Sequence, residues 1–231
     1  DEERQELWGN ADHFTETMKY HMSKMFTPSR LVAMNELSNH DHSRFLTRTN
    51  HMVGRAAQLG AKAAEEYVSK AVFRVAVTMQ MTWIGAPTIY YGDEAGVCGF
   101  TDPDNRRTYP WGLEDKSLIA FHKEMIRIHK KYEAFKSGSI LLLHGAEHIL
   151  AYARFNDTEQ FVVVINNRSE RAEIVVPVWR AGVPKEGRMR RLMYTYDDDY
   201  TTEYEEYIVK NGEMVVNMGK HSALVLKTME F

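Results

Sequence analysis

The sequence predicts an α/β unit over residues 1–138 followed by an all-β unit over residues 139–231. Two observations carry that division. In the first part, long stretches with apolar residues at helical spacing alternate with short apolar runs that empty into polar loops. After Lys136-Ser137-Gly138 the texture changes to brief β-rich runs separated by turn residues. With 231 residues and 44% hydrophobic content, both parts can bury a core.

From Asp12, the residues Phe14, Met18, Met22 and Met25 recur at three and four positions, the spacing of one helix face, and Pro28 is expected to end that helix. Leu31 to Leu37 is short and apolar enough for a buried strand, and it runs into Ser38-Asn39-His40-Asp41. Arg55 to Thr82 steps through Ala63, Tyr67, Ala71, Val75 and Met79 and predicts one long helix. Gly85 and Pro87 break it, and Thr88 to Tyr91 reads as a second strand leading to Gly92-Asp93-Glu94. Leu118, Phe121, Met125, Ile128 and Tyr132 form a further helical stripe, with Lys130 and Lys131 where the helix dipole favours cations. Strands alternating with helices imply a parallel sheet, and polar residues gathered at strand C-termini are the arrangement of a (β/α)8 barrel. Two strands cannot close one.

In the second part, Ile149 to Phe155, Gln160 to Ile165 and Ala172 to Val178 read as strands, with turns at Asn156-Asp157 and Asn166-Asn167. Asn211-Gly212, between Tyr207 to Val209 and Met214 to Val216, suits the positive φ angles of a tight hairpin. An antiparallel β-sandwich is expected from about residue 139.

A net charge of -3 leaves no basic surplus for phosphates, so nucleic acid is not an expected partner. The apolar runs are far shorter than the ~20 residues of a membrane span, so no membrane association is expected. The single Cys98 permits neither an internal disulfide nor a cysteine zinc site. The opening Asp1-Glu2-Glu3-Arg4-Gln5-Glu6 has no Met and no apolar signal core, which suggests a cut chain whose signal peptide, if any, lies outside it. Localisation is therefore unassigned, with the lone cysteine slightly favouring the cytoplasm.

The Ser38 to Asp41 loop gathers an amide, an imidazole and a carboxylate suited to gripping sugar hydroxyls, although the same residues also make ordinary solvated turns. A metal reading of His40, Asp41 and His42 lacks partners, since neighbours in sequence seldom converge on one ion and no HExxH or CxxC is present. No phosphate-loop motif accompanies Gly92, Gly96 and Gly99. Arg106 and Arg107 fit an anion site or a solvated pair, and Trp111 fits a sugar-stacking residue or a loop plug.

The ordered set Asn39-His40-Asp41 with Arg44, then Gly85-Ala86-Pro87-Thr88-Ile89-Tyr90-Tyr91-Gly92-Asp93-Glu94, then Asp102-Pro103-Asp104-Asn105-Arg106-Arg107 and Pro110-Trp111, resembles glycoside hydrolase family 13, the alpha-amylase family. The likeness is greatest to neopullulanase, cyclomaltodextrinase and amylopullulanase types and is strong over about residues 35 to 138. It implies that residues 1–138 are the C-terminal portion of the catalytic barrel and residues 139–231 the family's C-terminal β domain. It implies that Asp41 is the catalytic carboxylate that stabilises the transition state, that His40, Asp102 and Arg106 bind substrate, and that Asn39 and Arg44 support the loop. It implies no cofactor, and calcium only for the parent protein, with no ligands identified in this chain.

Retaining glycosidases need a nucleophile and an acid/base about 5 to 5.5 Å apart. No GxRxD-like nucleophile motif is present, Glu36 lies within an apolar run, and Glu94 follows the wrong strand. The expectation is a fragment of a retaining α-glucan hydrolase acting on starch, pullulan or maltodextrins and inactive by itself. A non-catalytic carbohydrate-binding or assembly module is the alternative. Expected partners are an α-glucan, the missing N-terminal part of the barrel, and further copies through self-association of the open barrel edge.

Overall fold

A computed structural model describes residues 4–197 and 199–229 of the protein. The helical unit begins with α1 (Ala11–Ser23), whose first turn is closed by Asn10 accepting from the His13 amide at 2.8 Å. A second helix, α2 (Thr27–Val32), carries Pro28 in its first turn. Proline has no amide hydrogen to lose there and its φ is preset for helix, so Pro28 starts this helix and does not end the previous one. Leu31 and Val32 consequently belong to α2, and the strand expected over Leu31 to Leu37 shrinks to β1 (Met34–Asn35).

Three further helices follow: α3 (Phe45–Arg48), α4 (Ala56–Leu59) and α5 (Lys70–Thr82). The single helix expected over Arg55 to Thr82 is therefore broken. Gly60 at φ 82 ends α4, a 3-10 turn spans Ala61–Glu65, and Tyr67 at φ 59 turns the chain before Ser69 caps α5 through the Val72 amide. Residues Ala86–Pro87 form β2, two positions ahead of the expected Thr88 to Tyr91 strand. β2 pairs with β1 in parallel, Met34 opposite Ala86 and Asn35 opposite Pro87. Gly85 has to be glycine: at φ 128, a Cβ would stand 2.6 Å from both the Ala33 carbonyl and the Asn35 side chain. The Gln80 amide of α5 ties the pair to the helix layer by donating to Asn35 O and Thr88 O at 3.1 and 2.8 Å.

Helix α6 (Lys116–Lys131) is capped by Asp115 and buries Leu118, Phe121, Met125 and Ile128 against α5. A short α7 (Glu133–Ser137) leads into the sheet. Its strands are β3 (Ser139–Ala146), β4 (Ile149–Phe155), β5 (Gln160–Asn166), β6 (Ala172–Val176), β7 (Gly187–Tyr196), β8 (Asp199–Thr201), β9 (Glu206–Lys210), β10 (Glu213–Met218) and β11 (Ser222–Thr228). They form one antiparallel sheet in the order β3-β4-β5-β11-β7-β9-β10-β6, with β8 beside β7. The β9–β10 turn uses Asn211 at φ 52 and Gly212 at φ 83, as its Asn-Gly pair predicts.

Alternation on β5 shows how the two units share a core. Phe161, Val163 and Ile165 face the helices with Phe135 and Tyr132, whereas Val162 and Val164 face Met189, Val216 and Leu224 in the sandwich interior. The curled sheet thus encloses one core and presents its outer face to another, where α5 packs on β11 and β7. Arg154, fully buried, donates to Thr82 O at the end of α5 and to Gly138 O at the end of α7, joining the units through carbonyls that a helix end leaves unpaired. With no carboxylate beside it, burial pushes this guanidinium down to about 10.

Candidate active site

The C-terminal ends of β1 and β2 open on the same side, because the strands are parallel, and their loops meet there. The Asp41 loop is built around Asn39. Its Oδ1 accepts from the Asp41 and His42 amides at 2.9 and 3.1 Å, and its Nδ2 donates to Glu36 Oε1. This local turn holds the backbone while leaving the Asp41 and His40 side chains about two-thirds exposed, with His40 Nε2 3.4 Å from Asp41 Oδ1.

The loop after β2 locks it from behind. Asn105, fully buried, donates through Nδ2 to Asn39 O at 3.1 Å and His42 O at 2.7 Å. Thr101 Oγ1 donates to Asp41 O at 2.9 Å, and Arg106 reaches the His40 carbonyl at 3.4 Å while pairing with Asp102 at 2.7 Å. The six residues singled out from sequence, Asp41, His40, Asp102, Arg106, Asn39 and Arg44, therefore lie in two loops joined by hydrogen bonds. Sequence reasoning missed Thr101 and quoted Ser38 and Asn105 within their motifs without assigning either a role. A small polar residue between two charged ones gave no hint of burial.

Arg44 anchors the whole assembly. Its guanidinium is 0% exposed, donates to Asn105 O at 2.8 Å, Tyr91 O at 2.6 Å and Asp93 Oδ1 at 3.0 Å, and lies 4.0 Å from the Tyr90 ring centroid. Asp93 is buried beside it, and burial raises its carboxyl from 3.8 to about 6. Hydrogen bonds from Ser38 and Arg44 and the guanidinium charge pull the other way without overcoming desolvation, and nearby Glu94 adds to the rise. Asp93 is thus sealed against its partner and cannot face a ligand. Glu94 accepts from the Gly92 amide of its own turn, and Glu36 accepts from Asn39. Asp41 is 66% exposed on its loop, and Asp102, 47% exposed on the other, is paired with Arg106. Trp111 is 82% exposed beside Tyr109, so it does not plug its loop.

Among the described residues, no group of three or more His, Cys, Asp or Glu side chains is arranged to hold a metal ion. No helix among them is long and apolar enough to cross a membrane.

A family profile described as alpha amylase, catalytic domain, matches residues 2–134. The chain belongs to the alpha-amylase family. Among its relatives, the amylopullulanase of Thermoanaerobacter thermohydrosulfuricus is 31% identical over 84% of this chain and 13% of that protein. The cyclomaltodextrinase of Thermoanaerobacter pseudethanolicus is 34% identical over 69% of this chain and 25% of that protein. The chain thus spans a quarter or less of the length of these two relatives. In fold it is similar to the alpha-amylase of Geobacillus thermoleovorans solved with acarbose, with a TM-score of 0.74 at 22% identity over 94% of this chain and 42% of that one. A solved cyclomaltodextrinase gives a TM-score of 0.70 at 22% identity over 91% of this chain and 32% of that one. The alpha-amylase architecture places β1 and β2 as the last strands of a (β/α)8 barrel, with the antiparallel sheet as the C-terminal β-sandwich.

Proposed function

We propose that the protein is part of a retaining α-glucan hydrolase acting on starch, pullulan or maltodextrins, with Asp41 as the carboxylate that stabilises the transition state. The observation that carries this reading is the contrast between Asp41 and its neighbours: its side chain is about two-thirds exposed, 3.4 Å from His40 Nε2, on a backbone clamped by Asn39, Thr101 and Asn105, while Asp93 is buried in an ion pair. As the glycosidic bond breaks, positive charge develops at the anomeric carbon. A carboxylate already in place lowers the energy of that state more than that of the bound sugar. His40 is suited to hydrogen-bonding the sugar at the scissile bond, and the Asp102–Arg106 pair to holding the hydroxyls of the next ring. Asn39 and Arg44 keep the loop in place without touching substrate.

Asp41 supplies charge but neither a nucleophile nor a proton, so the complete reaction draws both from strands beyond these two. Phe26, Val32 and Met34 lie exposed at the β1 side, and among the described residues β1 has no second strand neighbour. That apolar edge suits the remaining barrel strands. The test is to incubate the purified 231-residue chain with maltohexaose and pullulan and follow reducing ends for days. No release above a buffer blank is expected. Sustained release that disappears in Asp41→Asn would overturn the assignment of a stabilising role alone.

A further inference from the structure

At the seam between the helical unit and the sheet lies a cleft of about 1100 Å³ that reaches the Asp41 loop only at His42. Six non-glycine residues among those described have positive φ, and three are histidines: His51 at 59°, His148 at 57° and His221 at 41°. All three line this cleft, and they come from separate segments: the stretch after α3, the β3–β4 turn and the β10–β11 turn. Glycine adopts this backbone at least cost and His is, with Asn and Asp, among the side chains enriched in it, so what sets these three apart is their convergence on one cleft. Side chains kept at unfavourable backbone positions gather where a site needs them.

The rest of the cleft is chemically consistent. Trp8 is half exposed and packs against His51 with ring centroids 4.6 Å apart, leaving indole surface toward the cavity. The His148 amide donates to Gly9 O at 2.8 Å, and its ring lies so close to Gly9 that a Cβ there would stand 2.5 Å away, which fixes the ring in place. His221 Nδ1 lies 3.3 Å from Asn167 Oδ1. Burial lowers the His221 imidazole, favouring the neutral form that both donates and accepts. The lining mixes Arg4, Arg48 and Arg168 with Glu147 and Glu170, and Arg4 is paired with Glu6, so the cavity has no strong net charge to select a polyanion.

We propose that this cleft is a second saccharide-binding site, separate from the Asp41 loop, in which a neutral oligosaccharide stacks a ring on Trp8 and hydrogen-bonds to His51, His148 and His221. The choice of an α-glucan as its ligand rests on the function proposed above, whereas the site itself does not. The experiment is calorimetric titration of the 231-residue chain with maltohexaose, cellohexaose and inorganic phosphate, repeated on Trp8→Ala, Lys210→Ala and the pair His148→Gly with His221→Gly. Saturable maltohexaose binding is expected, weakened at least about tenfold by Trp8→Ala and by the paired glycines and unchanged by Lys210→Ala on the exposed far strand. The paired glycines should also hold or raise the unfolding midpoint, because glycine relieves the left-handed strain. A merely structural role predicts the reverse: lower stability and unaltered binding. The proposal fails if no saccharide binds, if phosphate binds in place of saccharide, or if Trp8→Ala and the paired glycines bind maltohexaose as the wild type does. Cellohexaose binding in place of maltohexaose, with the same pattern of variants, would uphold the cleft and count against the α-glucan reading.

Discussion

Replacing Arg44 by Met removes the cation from a buried pair and leaves its carboxylate behind. The Arg44 and Asp93 side chains are 0% and 6% exposed, so no water can take over the lost partner. The same change strips donors from the Tyr91 and Asn105 carbonyls. Breaking one side of a buried pair costs about 3–5 kcal/mol, which corresponds to a fall of about 6–20 °C in midpoint for a chain of this size. The loss should depend on pH. In the wild type, the folded Asp93 carboxyl keeps its proton to about 6, whereas the unfolded group releases it near 3.8. The folded state therefore binds more protons in that window, and the stability from this group is complete below 3.8 and lost as pH rises toward 6. Without Arg44 the charged carboxylate is held less well still, so the variant should lose less at pH 4.5, where only the carbonyl donors are missed, than at pH 8. Urea unfolding followed by circular dichroism at both values measures this. Equal losses at the two pH values, or a loss under about 1 kcal/mol at pH 8, would refute the buried-pair account.

Two further outcomes test the packing. Phe161→Ala empties a fully buried site whose ring centre lies 4.5 and 4.9 Å from those of Phe135 and Tyr132, and should cost about 3–5 kcal/mol in urea unfolding, against under 1 for a surface substitution such as Lys210→Ala. Burial pushes the Cys98 thiol up to about 11, so a thiol reagent at pH 8 should label it slowly in the native chain and rapidly in urea; fast native labelling would contradict its burial.

How far the sequence reveals the fold differs between the two units. Five strands of the sheet, β4, β5, β6, β9 and β10, are legible as β-rich runs bounded by turn residues, and Asn211-Gly212 marks its turn by its own backbone preference, whereas β3, β7, β8 and β11 were not foreseen. The barrel strands are only two residues each, and what defines them is the distant Met34–Ala86 pairing, which periodicity does not register. Pro28 and Gly60 also carry two local meanings, start or stop, and the direction of the chain around them decided which applied. At the site, the exposed Asp41 and His40 were visible as a polar cluster after an apolar run, and their role came from family resemblance. The role of Asn105, quoted only as part of a motif, was invisible because it lies in burial between two loops, a property of the folded chain.

The most direct measurement compares Asp41→Asn with wild type in an enzyme carrying these residues within a complete barrel. Turnover of maltohexaose and the dissociation constant of the same oligosaccharide should be determined side by side. If Asp41 stabilises charge that exists only in the transition state, turnover should fall by orders of magnitude while binding changes little. Turnover near the wild-type value, or a loss explained wholly by weaker binding, would remove Asp41 from the catalytic groups.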